Sequence, residues 1–174
     1  MAASPQIVRV PVEVYLRSSY EPDAEFVDGL IEKRPMGQYD HSCWQHAIDV
    51  WFTQHEKEWG IRARPGLRVR VAKSNFRVPD VVILDRSVPV EQIVTHPPIA
   101  VFEVLSPEDS HSRLMIKLAD HERMGIRTII VIDPETGNHS RYTSGRLERL
   151  PAEPFDLPGS QCRFDLKGIE ALLD

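Results

Sequence analysis

Two carboxylates stand where apolar strands leave them little room. Asp80 lies between Phe76-Arg77-Val78-Pro79 and Val81-Val82-Ile83-Leu84, and Glu103 lies inside Ile99-Ala100-Val101-Phe102-Glu103-Val104-Leu105. A lone ionised carboxylate in such surroundings is costly unless it is paired or binds a metal. Either acid alone reads as structural, at a strand end facing solvent or beside a buried arginine. Two of them on neighbouring strands point to a shared site. Lys117 is the third member. Leu114, Met115, Leu118 and Ala119 form an apolar helical stripe, and Lys117 sits at its edge with Arg113 and His121 on the same side. From there it aims along the sheet toward the carboxylates, or snorkels to solvent, in which case its removal costs the fold little. Two acids and a lysine are the minimum kit for metal-dependent phosphodiester hydrolysis. The acids hold Mg²⁺, and the lysine stabilises charge on phosphate oxygens or positions the nucleophile.

The elements that must position these residues follow from local pattern. Pro11 to Ser19 suits a short helix with proline in its first turn. Glu25 to Glu32 reads as a hairpin around Asp28-Gly29, which supplies the positive φ angles of a tight turn. Trp44, Ala47, Ile48, Trp51 and Phe52 recur at helical spacing and predict a helix from about Asp40 to Trp59, stopped by Gly60. Arg62 to Val71 alternates as a half-buried strand that Pro65-Gly66 can bend. Phe76 to Leu84, Ile99 to Leu105 and Thr128 to Ile132 read as central strands. A helix from Ser110 or Ser112 to Met124 separates the last two, with Gly125 as its stop. A hairpin around Ser144-Gly145 and a closing helix from Leu166 to Leu173 complete the order. The expected class is α/β (or α+β), a mixed sheet flanked by helices with an N-terminal helix and β-hairpin.

The chain of 174 residues is the size of one domain, expected over residues 1–174, and can bury a core without disulfide staples. With 41% apolar and 27% charged residues and a formal charge of −5, disorder is excluded. No apolar run is long enough for a membrane span, and Met1-Ala2-Ala3-Ser4-Pro5 lacks the pattern of a signal peptide. Two cysteines, Cys43 and Cys162, read as reduced thiols, so a cytoplasmic location is expected. The charge is uneven. Arg62, Arg64, Arg68, Arg70, Lys73 and Arg77 crowd residues 61 to 77 without an acid, a candidate face for a nucleic-acid backbone or simply a solvated strand face.

Rival chemistries are weaker. His41, Cys43 and His46 match no four-ligand zinc spacing. Cys43 with a neighbouring histidine lacks an orienting group and an oxyanion loop. His41 reads as a cap or core histidine. Trp44, Trp51 and Trp59 read as a core or dimer face rather than a base-stacking platform.

Taken in order, Glu25-Phe26-Val27-Asp28-Gly29-Leu30-Ile31, His41, Pro79-Asp80, Phe102-Glu103-Val104-Leu105-Ser106-Pro107, Lys117, Gly125-Ile126 and Val131-Ile132-Asp133-Pro134 resemble the Uma-two-type putative restriction endonuclease family, a branch of the PD-(D/E)xK nuclease superfamily. The resemblance covers roughly Pro11 to Tyr142. It implies a restriction-endonuclease-like core and a Mg²⁺- or Mn²⁺-dependent endonuclease acting on DNA. It makes Asp80 and Glu103 metal ligands with the Val104 carbonyl, Lys117 the catalytic lysine, and Glu25 a further acid of the site. In the superfamily's usual form the lysine lies two residues after the second acid, where this chain has Leu105, and Lys117 fits the branch whose lysine sits on the next helix. Arg113, His121 and Ala24 depart from the family's usual residues. Restriction-type nucleases often cut as pairs, so a homodimer is expected. Two alternatives stay open: a nuclease-fold protein with weak or no catalysis acting as a DNA-binding or regulatory module, and a metal-dependent hydrolase of another substrate.

Overall fold

The computed structural model describes residues 9–173, so the N-terminal pentapeptide Met1 to Pro5 lies outside the described residues. The elements run α1 (Val12–Arg17), β1 (Ala24–Val27), β2 (Leu30–Lys33), α2 (Tyr39–Gln54), α3 (Glu56–Trp59), β3 (Ile61–Pro65), β4 (Val69–Ala72), β5 (Asn75–Arg77), β6 (Val81–Asp85), β7 (Ala100–Val104), α4 (His111–Met124), β8 (Thr128–Ile132), β9 (Ser140–Thr143), β10 (Arg146–Arg149), β11 (Phe155–Asp156), β12 (Arg163–Phe164) and α5 (Leu166–Glu170). A six-stranded mixed sheet has the order β10-β9-β8-β7-β6-β3, and a four-stranded sheet has the order β2-β1-β5-β4. In the larger sheet only β7 and β8 run parallel, and α4 is the crossover that such a pair requires.

Strand alternation divides the interior in two. Val81, Ile83, Phe102, Val104, Ile130 and Ile132 pack with Ile48 and Phe52 of α2 and with Ile169 of α5. Val82, Val101, Ile129 and Val131 face the other way, toward Leu118 of α4 and Val69 and Val71 of β4. Glu103 is two residues from Val101, so its side chain belongs to the α4 side. A third cluster, Tyr15, Phe26 and Phe76, ties α1 to the smaller sheet.

Three expected elements are divided. The helix from Asp40 to Trp59 breaks at His55, whose ring Nδ1 lies 2.7 Å from the Trp51 carbonyl. The strand from Arg62 to Val71 is two strands in different sheets, because the chain turns at Pro65-Gly66 with Gly66 at φ 62°. The strand from Phe76 to Leu84 is also two, because Pro79 has no N–H for a ladder. The hairpin β11–β12 adds a piece the pattern missed. With α5 it covers the tryptophan face of α2. Trp51 and Trp59 pack on the main core and Trp51 Nε1 donates to the Arg163 carbonyl at 3.0 Å. The chain's own C-terminal segment therefore covers this face, as the core alternative of the sequence reading expects.

Candidate active site

Where the two sheets and α4 meet, a cavity of about 300 Å³ is lined by Glu25, Arg34, His41, Asp80, Glu103 and Lys117, among others. Each comes from a different place. Glu25 is on β1, Glu103 on β7 and Lys117 on α4; Arg34 follows β2, His41 opens α2, and Asp80 precedes β6. Backbone bonds fix Asp80: its N–H donates to the Phe102 carbonyl at 3.0 Å, and its own carbonyl accepts from Gln45 Nε2 at 2.9 Å. Its carboxylate is turned to β7, where Oδ2 accepts the Val104 N–H at 2.7 Å. Oδ1 is paired with the Arg34 guanidinium, and His41 Nε2 lies 3.3 Å from the same oxygen. Burial pushes the Asp80 pKa up, but the His41 hydrogen bond and the charges of Arg34 and Lys117 outweigh it and hold it below its ordinary value.

Lys117 joins the remaining acids. Its Nζ lies 2.7 Å from Glu103 Oε2 and 3.0 Å from Glu25 Oε1. Only 17% of its side chain is exposed, so it is a largely enclosed ion rather than the surface lysine the helical pattern allowed. Ser110 caps α4 through the Arg113 N–H and so helps fix the helix start from which Lys117 projects. Burial would lower the lysine's pKa, yet Glu103 and Glu25 raise it above its ordinary value, and the ammonium is kept. Glu25 is pushed up by burial but held down at about 2 by Lys117, Arg77 and the Val78 N–H. One helical turn beyond Lys117, His121 is fully buried and its Nε2 lies 2.8 Å from Glu103 Oε1. Its Nδ1 has no hydrogen-bond partner among the described residues, and the contact with a carboxylate oxygen places the donated proton on Nε2.

Asp80, Glu103, Glu25 and Lys117, expected to share a site, are brought together, and the Val104 backbone touches them. The basic segment is not. Arg77 is 3% exposed and lies inside the molecule, donating to Glu25 Oε2 at 2.9 Å and to Asp120 Oδ2 at 2.6 Å. It belongs to the buried charge network and not to a surface face, because β5 ends with its side chain turned toward α4. Arg62 and Arg64 ride on β3, Arg68 and Arg70 on β4, so the chain turn separates them. Arg64 is paired with Glu56, Arg68 lies over the Tyr15 ring, and Arg62 donates to the Val88 carbonyl. Arg70 and Lys73 are exposed and in no ion pair among the described residues. Cys43 and Cys162 are free thiols.

The sequence pattern missed Arg34 and Asp120. Arg34 stands in Glu32-Lys33-Arg34-Pro35, which reads as an ordinary charged hairpin exit, and Asp120 reads as the polar face of a helix. His121 was visible only as a neighbour of Lys117.

A sequence profile described as Uma2, Putative restriction endonuclease, matches residues 12–162. The chain belongs to that family. Among solved structures, a putative nuclease belonging to DUF820 from Anabaena variabilis ATCC 29413 superposes with a TM-score of 0.80 at 20% sequence identity, covering 95% of this chain and 99% of that one. At this identity the likeness is one of fold, and the fold is that of the expected mixed sheet flanked by helices. A DrdV–DNA complex aligns with a TM-score of 0.41 at 15% identity, over 75% of this chain and 10% of the other. No curated protein matches. No helix among the described residues is long and apolar enough to cross a membrane.

Proposed function

We propose that this protein is a divalent-metal-dependent DNA endonuclease in which Asp80 and Glu103 hold the ion and Lys117 serves the transition state. One observation carries the reading: Lys117, fourteen residues from Glu103 in sequence, has its ammonium 2.7 Å from the Glu103 carboxylate inside the cavity that also contains Asp80. The donor set fits a hard cation. Two carboxylates and the Val104 carbonyl are all oxygen, and Mg²⁺ is commonly bound by one or two carboxylates with the rest water. Among the described residues no three His, Cys, Asp or Glu side chains are grouped to hold an ion, so an ion here would complete its shell with the Val104 carbonyl and water. A bound Mg²⁺ or Mn²⁺ would polarise phosphate oxygens and lower the pKa of its water.

The protein's own groups have separate parts. Glu103 and Glu25 together keep the Lys117 ammonium charged, and Glu25 holds it from the β1 side of the cavity. That ammonium stabilises negative charge growing on a phosphate oxygen. His121 holds the Glu103 carboxylate in orientation through Oε1. Exposed Arg70 and Lys73 are the members of the basic segment best placed to meet a DNA backbone. A homodimer, with one such centre facing each strand, completes the reading.

A second reading, a DNA-binding or regulatory module without catalysis, is favoured by the pairing of Asp80 with Arg34 and His41. Incubating a plasmid with Mg²⁺ or Mn²⁺ decides between them. Nicking or linearisation by the wild type, absent in Asp80→Ala, supports the endonuclease. Retained DNA binding with no cleavage in either metal supports the module.

A further inference from the structure

The cations of the site are not held alike. Four buried carboxylates, Glu25, Asp80, Glu103 and Asp120, meet Arg34, Arg77 and Lys117 and, at the surface, Arg123. Lys117 spans Glu103 and Glu25, and Arg77 spans Glu25 and Asp120 with Glu32 3.6 Å away. Arg34 differs: its guanidinium pairs with a single carboxylate, that of Asp80. Its backbone is fixed, with the N–H on the Asp23 carbonyl at 2.9 Å, while its side chain is 18% exposed and lines the cavity. A carboxylate offers about four lone-pair positions. On Asp80, Val104, His41 and Arg34 occupy three of them.

We propose that Arg34 is a phosphate-binding residue stored on Asp80: it yields Oδ1 when a divalent ion binds and turns its guanidinium to a non-bridging oxygen of the substrate phosphodiester. Coulomb's law sets the direction of exchange: a divalent ion on Asp80 repels the guanidinium beside it and attracts a phosphodiester. Lys117 is held by two carboxylates and Arg77 by three, so Arg34 is the cation the new ion displaces most readily. The guanidinium's planar fork suits two oxygens of one phosphate. The inference rests on the metal-site reading of Asp80 and adds a role for a residue outside the two acids and the lysine.

The test uses Ca²⁺ alone, titrated calorimetrically, and then a fluorescently labelled DNA duplex followed by anisotropy with and without Ca²⁺, its integrity checked on a gel. In Arg34→Gln, Ca²⁺ should bind roughly tenfold tighter, since a competing charge-assisted contact is gone. DNA affinity should fall roughly tenfold with Ca²⁺ and stay unchanged without it. A purely structural Arg34 would produce neither opposite pair. Weaker or equal Ca²⁺ affinity in Arg34→Gln, or equal DNA affinity in Ca²⁺, overturns the proposal. Arg34→Lys keeps the charge and guards against misfolding: it should bind Ca²⁺ like the wild type and DNA more weakly, and wild-type DNA affinity would overturn the proposal. If the wild type binds no Ca²⁺, or Asp80→Ala binds it equally well, the metal-site reading fails instead.

Discussion

The Arg77 guanidinium and the Asp120 carboxylate meet 2.6 Å apart in the interior, joining β5 to α4 across 43 residues of chain. The same guanidinium reaches Glu25, so one arginine orients the acid that in turn orients Lys117. Replacing Arg77 by Met would leave Glu25 and Asp120 buried without it. Removing one partner of a buried pair typically costs about 3–5 kcal/mol. Urea denaturation of Arg77→Met should show a loss on that scale. A change within about 0.5 kcal/mol, as for a surface arginine, would contradict the network.

Lys117→Ala separates charge stabilisation from metal holding. Asp80 and Glu103 remain, so Mn²⁺ affinity should stay close to wild type. Single-turnover plasmid cleavage should fall by roughly 10²-fold or more, the scale of one preorganised donor. Because Lys117 lies between two buried acids, the variant should also lose stability, by about 1–3 kcal/mol. Cleavage at the wild-type rate under metal saturation would remove Lys117 from the chemistry.

Acid stability reports the same cluster. The Glu25 carboxyl is lowered from its ordinary 4.5 to about 2. A carboxyl held low in the folded state contributes stability that is fully present above pH 4.5 and drains away as pH falls toward 2. Asp80 is shifted in the same direction and adds to the loss. The urea midpoint of the wild type should therefore drop steeply between pH 4.5 and 2. Glu25→Gln should start lower at neutral pH and show a shallower slope over that window. Parallel slopes for the two proteins would show that Glu25 is not held low.

The acids were legible because apolar strands make a carboxylate conspicuous. Lys117 was legible because the apolar stripe of α4 fixes which side faces the sheet. Its burial was not, since alternation cannot show that Glu25 arrives from a second sheet to enclose it. Arg77 was misread for a related reason. Six cations without an acid look like one face, but Pro65-Gly66 and Pro79 cut the run into pieces that enter different sheets. Arg34 carries no local signal, because its partner is 46 residues away. What covers the tryptophan face of α2 was not legible, because the two-residue strands β11 and β12 are too short to leave a pattern.

Leu105→Lys tests whether the site needs a particular lysine or only a cation on that face. Leu105 is two residues beyond Glu103, shares its side of the strand and lines the same cavity. It is also partly buried against the second core cluster, so a lysine there loses apolar packing. Alone, Leu105→Lys should destabilise the protein, because the new ammonium adds to Lys117 and Arg34 while Leu105's contacts vanish. In the Lys117→Ala background the balance reverses. Glu103 and Glu25 then face each other without their shared cation, and a lysine at 105 restores one. The double variant should be more stable than the sum of the single losses, by about 0.5–3 kcal/mol of coupling, the range for residues that share partners. Urea denaturation at pH 7 gives that coupling without reference to activity, and plasmid cleavage then shows whether the restored charge also restores chemistry. Strict additivity of the two stability losses would mean that a lysine at 105 does not reach the Glu103–Glu25 pair.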